Sequence, residues 1–220
     1  MAVLLAAVAA VAVSRVSTGT SLLESCATVP HVPTCKGSRP QAPSPYDFLA
    51  AVPPLTVTSL TIEDGKALPL SCTDPKIGGD DISPDLRWEG APNGTLSFAI
   101  TAFDPDAPTT SGFWHWFVYD IPANVSSVPP GAGAGFALPA GAKMLLNDNG
   151  LAQYSGPNPP LCHGVHRYLF AVHALPVATL PLEANTSCAV GGFNMFSVGE
   201  LARGIVASTY ALWHNVSATA

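Results

Sequence analysis

Four stretches of the chain, LTVTSLTI (55–62), LSFAITAF (96–103), WHWFVYDI (114–121) and RYLFAVHAL (167–175), are apolar, β-branched or aromatic runs bounded by Pro, Gly, Asp and Asn. Runs of this kind predict β-strands. Period-two alternation in the third sends His115, Phe117, Tyr119 and Ile121 to one face and Trp114, Trp116, Val118 and Asp120 to the other. In the fourth, His166, Tyr168 and Phe170 share a face, and Arg167 points away from it as a structural residue. Asn147-Asp-Asn-Gly150 reads as a turn, and residues 194–212 (NMFSVGELARGIVASTYAL) space their apolar positions for a short C-terminal helix. The chain shows no internal repeat and no coiled-coil heptads.

Ahead of these runs, residues 29–54 are Pro-rich and aperiodic, which predicts an extended segment or a strap over the surface. The apolar run at 2–13 is too short to span a bilayer and fits the core of a signal peptide. The expected organisation is a signal peptide over 1–25, a Pro-rich extension over 26–54 and a single domain over 55–220, exported to the envelope or outside the cell. Sequons at Asn93, Asn124, Asn185 and Asn215 agree with a secretory route and glycosylation. Lipidation at Cys26 is the alternative fate of the leader.

Composition narrows the class. Charged residues make up 11% of the chain, against about 25% in ordinary soluble domains, while Pro (22) and Gly (19) abound. This favours a mostly β, loop-rich body. A net charge of −6 with nine Lys and Arg supplies no basic stripe for a phosphate backbone, so nucleic acid is not an expected partner. Of the five cysteines, none forms a C-x-x-C pair, so no structural zinc is expected. In an exported chain Cys162 would form a disulfide with Cys72 or Cys188, which outweighs a thiol nucleophile built from Cys162 and the adjacent His163.

Two constellations carry chemistry. Asp104-Pro-Asp-Ala-Pro108 follows a strand directly, and Pro105 and Pro108 stiffen it, so a carboxylate there can aim an acceptor or hold a histidine in one tautomer. The Pro/Gly-rich loop Tyr154-Ser-Gly-Pro-Asn-Pro-Pro-Leu-Cys-His-Gly-Val-His-Arg-Tyr168 runs into the fourth strand and brings His166 and Tyr168 with it. Two histidines, a tyrosine hydroxyl and glycine-loop amides, oriented by a carboxylate, suit a phosphate or other oxyanion. Binding should then strengthen as pH falls through the histidine range.

DPDAP, GFWHWFVYDIP, NDNG and YSGPNPPLCHGVHRY, in this order and spacing and preceded by ISPDLRWEGAP (82–92), resemble the phosphatidylethanolamine-binding protein family in its bacterial and archaeal branch. The resemblance implies a large central antiparallel sheet packed on a smaller one, short peripheral and C-terminal helices, and a small anion pocket at one end. It assigns ligand binding to Asp104, His115, Tyr154, Gly156, His166 and Tyr168, and pocket shaping to Pro105, Pro108, Pro159 and Pro160. Trp116 stands where animal members have a second histidine. Asn158 and Cys162 stand where the loop usually has glycines, which alters loop shape and ligand size.

The implied function is binding of a phosphate-containing small molecule or phospholipid head group, without cofactor, metal or integral membrane span. Inhibition of a protease, or regulation of another protein through the pocket rim, is the alternative. A hydrolase using Asp104, His115 and His166 ranks below both, because no Ser or Cys sits in a nucleophile elbow.

Overall fold

Each of the four apolar runs forms a strand in the computed structural model, which describes residues 40–183 and 185–213. In chain order the strands are β1 (Thr56–Thr58), β2 (Leu86–Glu89), β3 (Ser97–Asp104), β4 (Phe113–Pro122), β5 (Ser127–Val128), β6 (Lys143–Met144), β7 (His166–Leu175) and β8 (Ala202–Tyr210); besides short 3-10 turns, the described residues hold one α-helix, α1 (Cys188–Val198), before β8. The first run shortens to the three residues of β1. All strand pairs are antiparallel: β6-β4-β3-β7-β8 make a large sheet and β1-β2-β5 a small one. The signal peptide, Cys26, Cys35 and Asn215 fall outside the described residues.

Every residue of β3 is buried because the large sheet is covered on both faces. On one face, Phe98, Ile100, Trp116, Val118, Phe170 and Val172 pack against Leu86, Trp88 and Val128 of the small sheet. On the other, Ala99, Phe117, Tyr119 and Leu175 lie under Cys188 and Met195 of α1. Each large apolar side chain so buried contributes about 1.5–3 kcal/mol. The helix lies close because Gly191 has no side chain: a β-carbon there would fall 2.5 Å from Leu145 Cδ1. Residues 40–54 lie over the α1 side of the sheet, where the Tyr46 hydroxyl meets Thr101 Oγ1 at 3.1 Å and the Arg203 guanidinium sits 5.0 Å from the Tyr46 ring.

Two expectations change. Residues 194–212 do not form one helix. The helix begins earlier, at an N-cap Ser187 whose side chain accepts from Val190 N, and stops at Gly199 with φ 83°. Beyond it, Ala202, Gly204, Val206 and Ser208 turn inward at period two, and the segment pairs with β7 over nine residues. Edge pairing overrides the apparent helical spacing. Nor does Cys162 pair with Cys72 or Cys188, which are buried free thiols. Cys72 belongs to the core between the sheets and Cys188 to the one beneath α1, while Cys162 stands in the loop before β7.

Candidate functional site

Strict alternation along β4 would place His115 with Phe117 beneath α1. The strand pairing prevents this. Trp114 opposes Phe103 and Trp116 opposes Ala102, so His115 has no cross-strand partner and forms a β-bulge. The extra residue turns His115 and Trp116 to the same side: Trp116 enters the core between the sheets, and His115 meets Tyr168 edge-on at 5.2 Å. A second irregularity, with Asp120 at φ 58°, returns Ile121 to that core.

At this end of the large sheet a cavity of about 310 Å³ opens, lined in part by Asp104, Pro108, His115, Gly156, His166 and Tyr168. Asp104, the last residue of β3, places Oδ2 2.7 Å from His166 Nδ1, while its Oδ1 accepts from Asp106 N at 2.8 Å. The ring therefore donates from Nδ1, and its Nε2 meets His163 Nδ1 at 2.7 Å. His115 is held alike, with Nδ1 donating to the Ser155 carbonyl at 2.7 Å. Burial pushes the His115 pKa below 6.5, against the Ser155 hydrogen bond and the nearby Asp104 and Asp148 charges. A neutral histidine held at Nδ1 has its lone pair at Nε2, so it can donate to an anion there only after gaining a proton.

Tyr168 stands between them. Its hydroxyl is buried and makes no hydrogen bond of normal geometry among the described residues, although the Asp104 carboxylate lies near it; burial, and after it the Asp104 charge and that close approach, raise its pKa strongly. It remains a neutral donor. An orphaned buried hydroxyl costs about 1–3 kcal/mol, so its presence calls for a ligand or a water.

Other predicted residues serve differently. Tyr154 does not line the cavity: its hydroxyl donates to the Cys72 carbonyl at 2.8 Å and its ring packs edge-on against Trp116. Gly156 does line it, yet its amide donates to Asp81 Oδ1 at 2.6 Å. What requires glycine here is close approach, since a β-carbon would fall 2.4 Å from Thr73 C and 2.6 Å from Cys72 O. Pro159 and Pro160 lie on the wall; Pro105 does not. Cys162 adopts φ 60°, so the loop keeps a glycine-like backbone at that position despite its side chain.

The structure also shows residues that sequence reasoning missed. Asp74 and Lys76 reach the rim from a distant turn, and Lys76 brings a positive charge. Buried Asn147 donates to the Ser155 hydroxyl at 2.9 Å and accepts from Asn149 and Leu151 amides, fixing the loop that holds His115; its place at the head of an Asn-Asp-Asn-Gly turn was the available signal. Below the site, Arg167 pairs with Asp106 through Nε to Oδ2 at 2.7 Å and its terminal nitrogen to Oδ1 at 2.9 Å, and the same nitrogen donates to the Ala42 carbonyl. This holds Asp106 below the usual carboxylate range despite its burial, through the Arg167 side-chain and backbone hydrogen bonds.

A larger cavity of about 700 Å³ lies on the α1 side, with walls including Phe48, Trp114, Phe193 and Phe196. Its buried polar members are bonded to one another: Thr101 Oγ1 to His173 Nε2 at 3.0 Å, and Glu200 to His173 and Arg203. No orphaned group points into it among the described residues. The small cavity is the one with unspent polar capacity.

Comparisons with known proteins agree with this fold. A profile of the phosphatidylethanolamine-binding protein family matches residues 58–211. YbcL of Escherichia coli is 40% identical over 169 residues, 75% of this chain and 92% of YbcL. Its crystal structure, described as a new member of the mammalian PEBP family, superposes with a TM-score of 0.69 over 72% of this chain and 98% of that one. The homologue CT736 of Chlamydia trachomatis, 28% identical, gives 0.60 over 71% and 97%. A Mycobacterium tuberculosis protein carrying a lipoprotein name, LppC, is 34% identical over 156 residues, 69% of this chain and 68% of LppC. The chain belongs to the phosphatidylethanolamine-binding protein family, in its bacterial-type branch.

Proposed function

We propose that this protein is a binding module whose small cavity takes the phosphate of a phospho-ligand or phospholipid head group, and that it is not an enzyme. The observation that carries the reading is the buried, unpartnered Tyr168 hydroxyl between two histidines whose inner nitrogens are fixed by Asp104 and Ser155. A phosphate offers acceptors to all three groups and brings the charge that favours their protonated state. Turnover would need an activated nucleophile. The remaining hydroxyl on the cavity wall, that of Thr109, instead donates to the Gly112 carbonyl at 2.6 Å.

Because each histidine must gain a proton to donate, affinity rises as pH falls through the histidine range, and His115 responds in the lower part of it. The apolar run at 2–13 and the lipoprotein name of the LppC relative support an exported or envelope location. Among the described residues no helix is long and apolar enough to cross a membrane.

Calorimetric titration with inorganic phosphate and with O-phosphoethanolamine, comparing wild type with His166→Ala and Tyr168→Phe, tests the reading. Saturable binding that weakens at least tenfold in both variants is expected, with a steeper response at pH 5.5 than at pH 7.5. Absence of binding by the wild-type protein, or equal binding by folded variants, would overturn it.

A further inference from the structure

His166 is the one ring in the cavity wall that is bonded at both nitrogens. Asp104 holds Nδ1, and His163, three residues earlier in the loop, places its own Nδ1 2.7 Å from His166 Nε2, with the ring centroids 5.0 Å apart. His163 is not among the residues that line the cavity. It nevertheless occupies the His166 nitrogen that a bound anion would use.

The hydrogen-bond roles follow from chemistry. A carboxylate only accepts, so His166 Nδ1 carries a proton, and in the neutral ring Nε2 is an acceptor; the proton between the two histidines then belongs to His163 Nδ1. An ionised oxygen of an anion likewise offers only acceptors. Such an oxygen can take this site only if Nε2 gains a proton and His163 withdraws its own.

We propose that His163 is a specificity-determining residue of this cavity: it competes with the ligand for Nε2 of His166, so that an anion enters by displacing it with uptake of one proton. This rests on reading the cavity as an anion site. The groups facing His166 fit such an exchange. Asp104 from β3 supports the imidazolium, Tyr168 on β7 and His115 on β4 flank the opening, and Asp74 and Lys76 stand on the rim, while Asp106 and Arg167 neutralise each other beneath. The competition discriminates. A phosphate monoester, doubly charged and rich in acceptors, gains most from the protonated ring, whereas a carboxylate or neutral head group gains less from the same exchange.

The test uses the full chain as wild type, His163→Ala and His163→Asn, the last keeping a side-chain donor. Inorganic phosphate is titrated calorimetrically in two buffers of different ionisation enthalpy, and the histidine ring nitrogens are followed by long-range proton–nitrogen NMR. Removing one competing hydrogen bond should tighten phosphate binding roughly three- to tenfold in His163→Ala. His163→Asn should lie nearer wild type. Wild type should take up protons as phosphate binds at pH 7.5, and its His166 Nε2 resonance should change from an acceptor nitrogen to a protonated one; binding without proton uptake, through a phosphate hydroxyl donating to Nε2, overturns the proposal. Saturable binding with equal or weaker affinity in His163→Ala overturns the competition while leaving the cavity reading intact. Absence of binding by both proteins overturns both. Should His163→Ala fail to fold, the wild-type spectrum decides: a His163–His166 hydrogen bond that persists at phosphate saturation refutes the proposal.

Discussion

Replacing Asp104 with Asn sets two electrostatic effects against each other, and the distances decide between them. The Asp104 carboxylate lies 2.7 Å from His166 Nδ1, which puts its charge ~4 Å from the centre of an imidazolium. At an effective dielectric of about 20 that attraction amounts to about 4 kcal/mol. A phosphate oxygen bonded at Nε2 would stand ~7 Å from the same carboxylate, across the ring, where the repulsion is about 2.4 kcal/mol. The support for the imidazolium therefore wins by about 1.6 kcal/mol, roughly fifteenfold in Kd. Asp104→Asn should weaken phosphate binding by that factor at pH 5.5. Its pH dependence should also shrink. With Asn Oδ1 still accepting from Asp106 N, the amide NH₂ faces Nδ1, and the neutral ring then carries its proton on Nε2, ready to donate without proton uptake. Calorimetry at pH 5.5 and 7.5, with circular dichroism as a check on folding, measures both. Unchanged or tighter binding at pH 5.5 would refute the reasoning, because it would mean that repulsion outweighs the orienting charge.

Further outcomes are expected elsewhere. Asp106→Asn leaves the Arg167 guanidinium with half of its bidentate partner and should lower stability by about 2–3 kcal/mol in urea unfolding. The Asp106 pKa is depressed in the folded state, so its contribution is full above the unfolded carboxylate range and is lost as pH falls through the lower folded value; the deficit of the variant should vanish in strong acid. Gly156→Ala drives a β-carbon into the Thr73 and Cys72 backbone, where no flexible side chain can yield, and should lower the melting temperature and detach the Asp74–Lys76 rim from the cavity. Burial pushes the Cys72 thiol up to about 11 and the Cys188 thiol up to about 12, so a thiol reagent at pH 8 should label neither until the protein is unfolded. Rapid labelling of the native protein at either position would contradict their place in the two cores.

The strands were legible because β3, β4 and β7 are long apolar runs with turn residues at their ends, and the His166/Tyr168 face was legible because β7 pairs without a bulge over its whole length. The family signature was legible as well, since its motifs lie in loops and strand ends whose spacing is a property of the chain alone. The polar wiring of the cavity was less so. Tyr154 and Gly156 sit in the family's motif, yet the Tyr154 hydroxyl goes to Cys72 and the Gly156 amide to Asp81, residues some 75 to 82 positions away. No local pattern announces such pairings. Residues 194–212 misled for a related reason: helical and strand spacings both fit a short apolar stretch, and an available edge on β7 settled the matter.

By itself the sequence determined the strand-rich class, the ends of the main strands and which side of β7 carries His166 and Tyr168, because side-chain alternation and turn residues act over a few neighbouring positions. Strand alternation would have turned His115 away, and only the tertiary structure supplied the bulge that brings it to the cavity the family motif had assigned it to. A bulge exists only relative to a partner strand, and the partner of β4, with Phe103 opposite Trp114 and Ala102 opposite Trp116, comes from β3. The same holds for the hydroxyl of Tyr168, the rim lysine and the His163–His166 contact: each depends on what the folded chain brings near it, which short-range spacing does not encode.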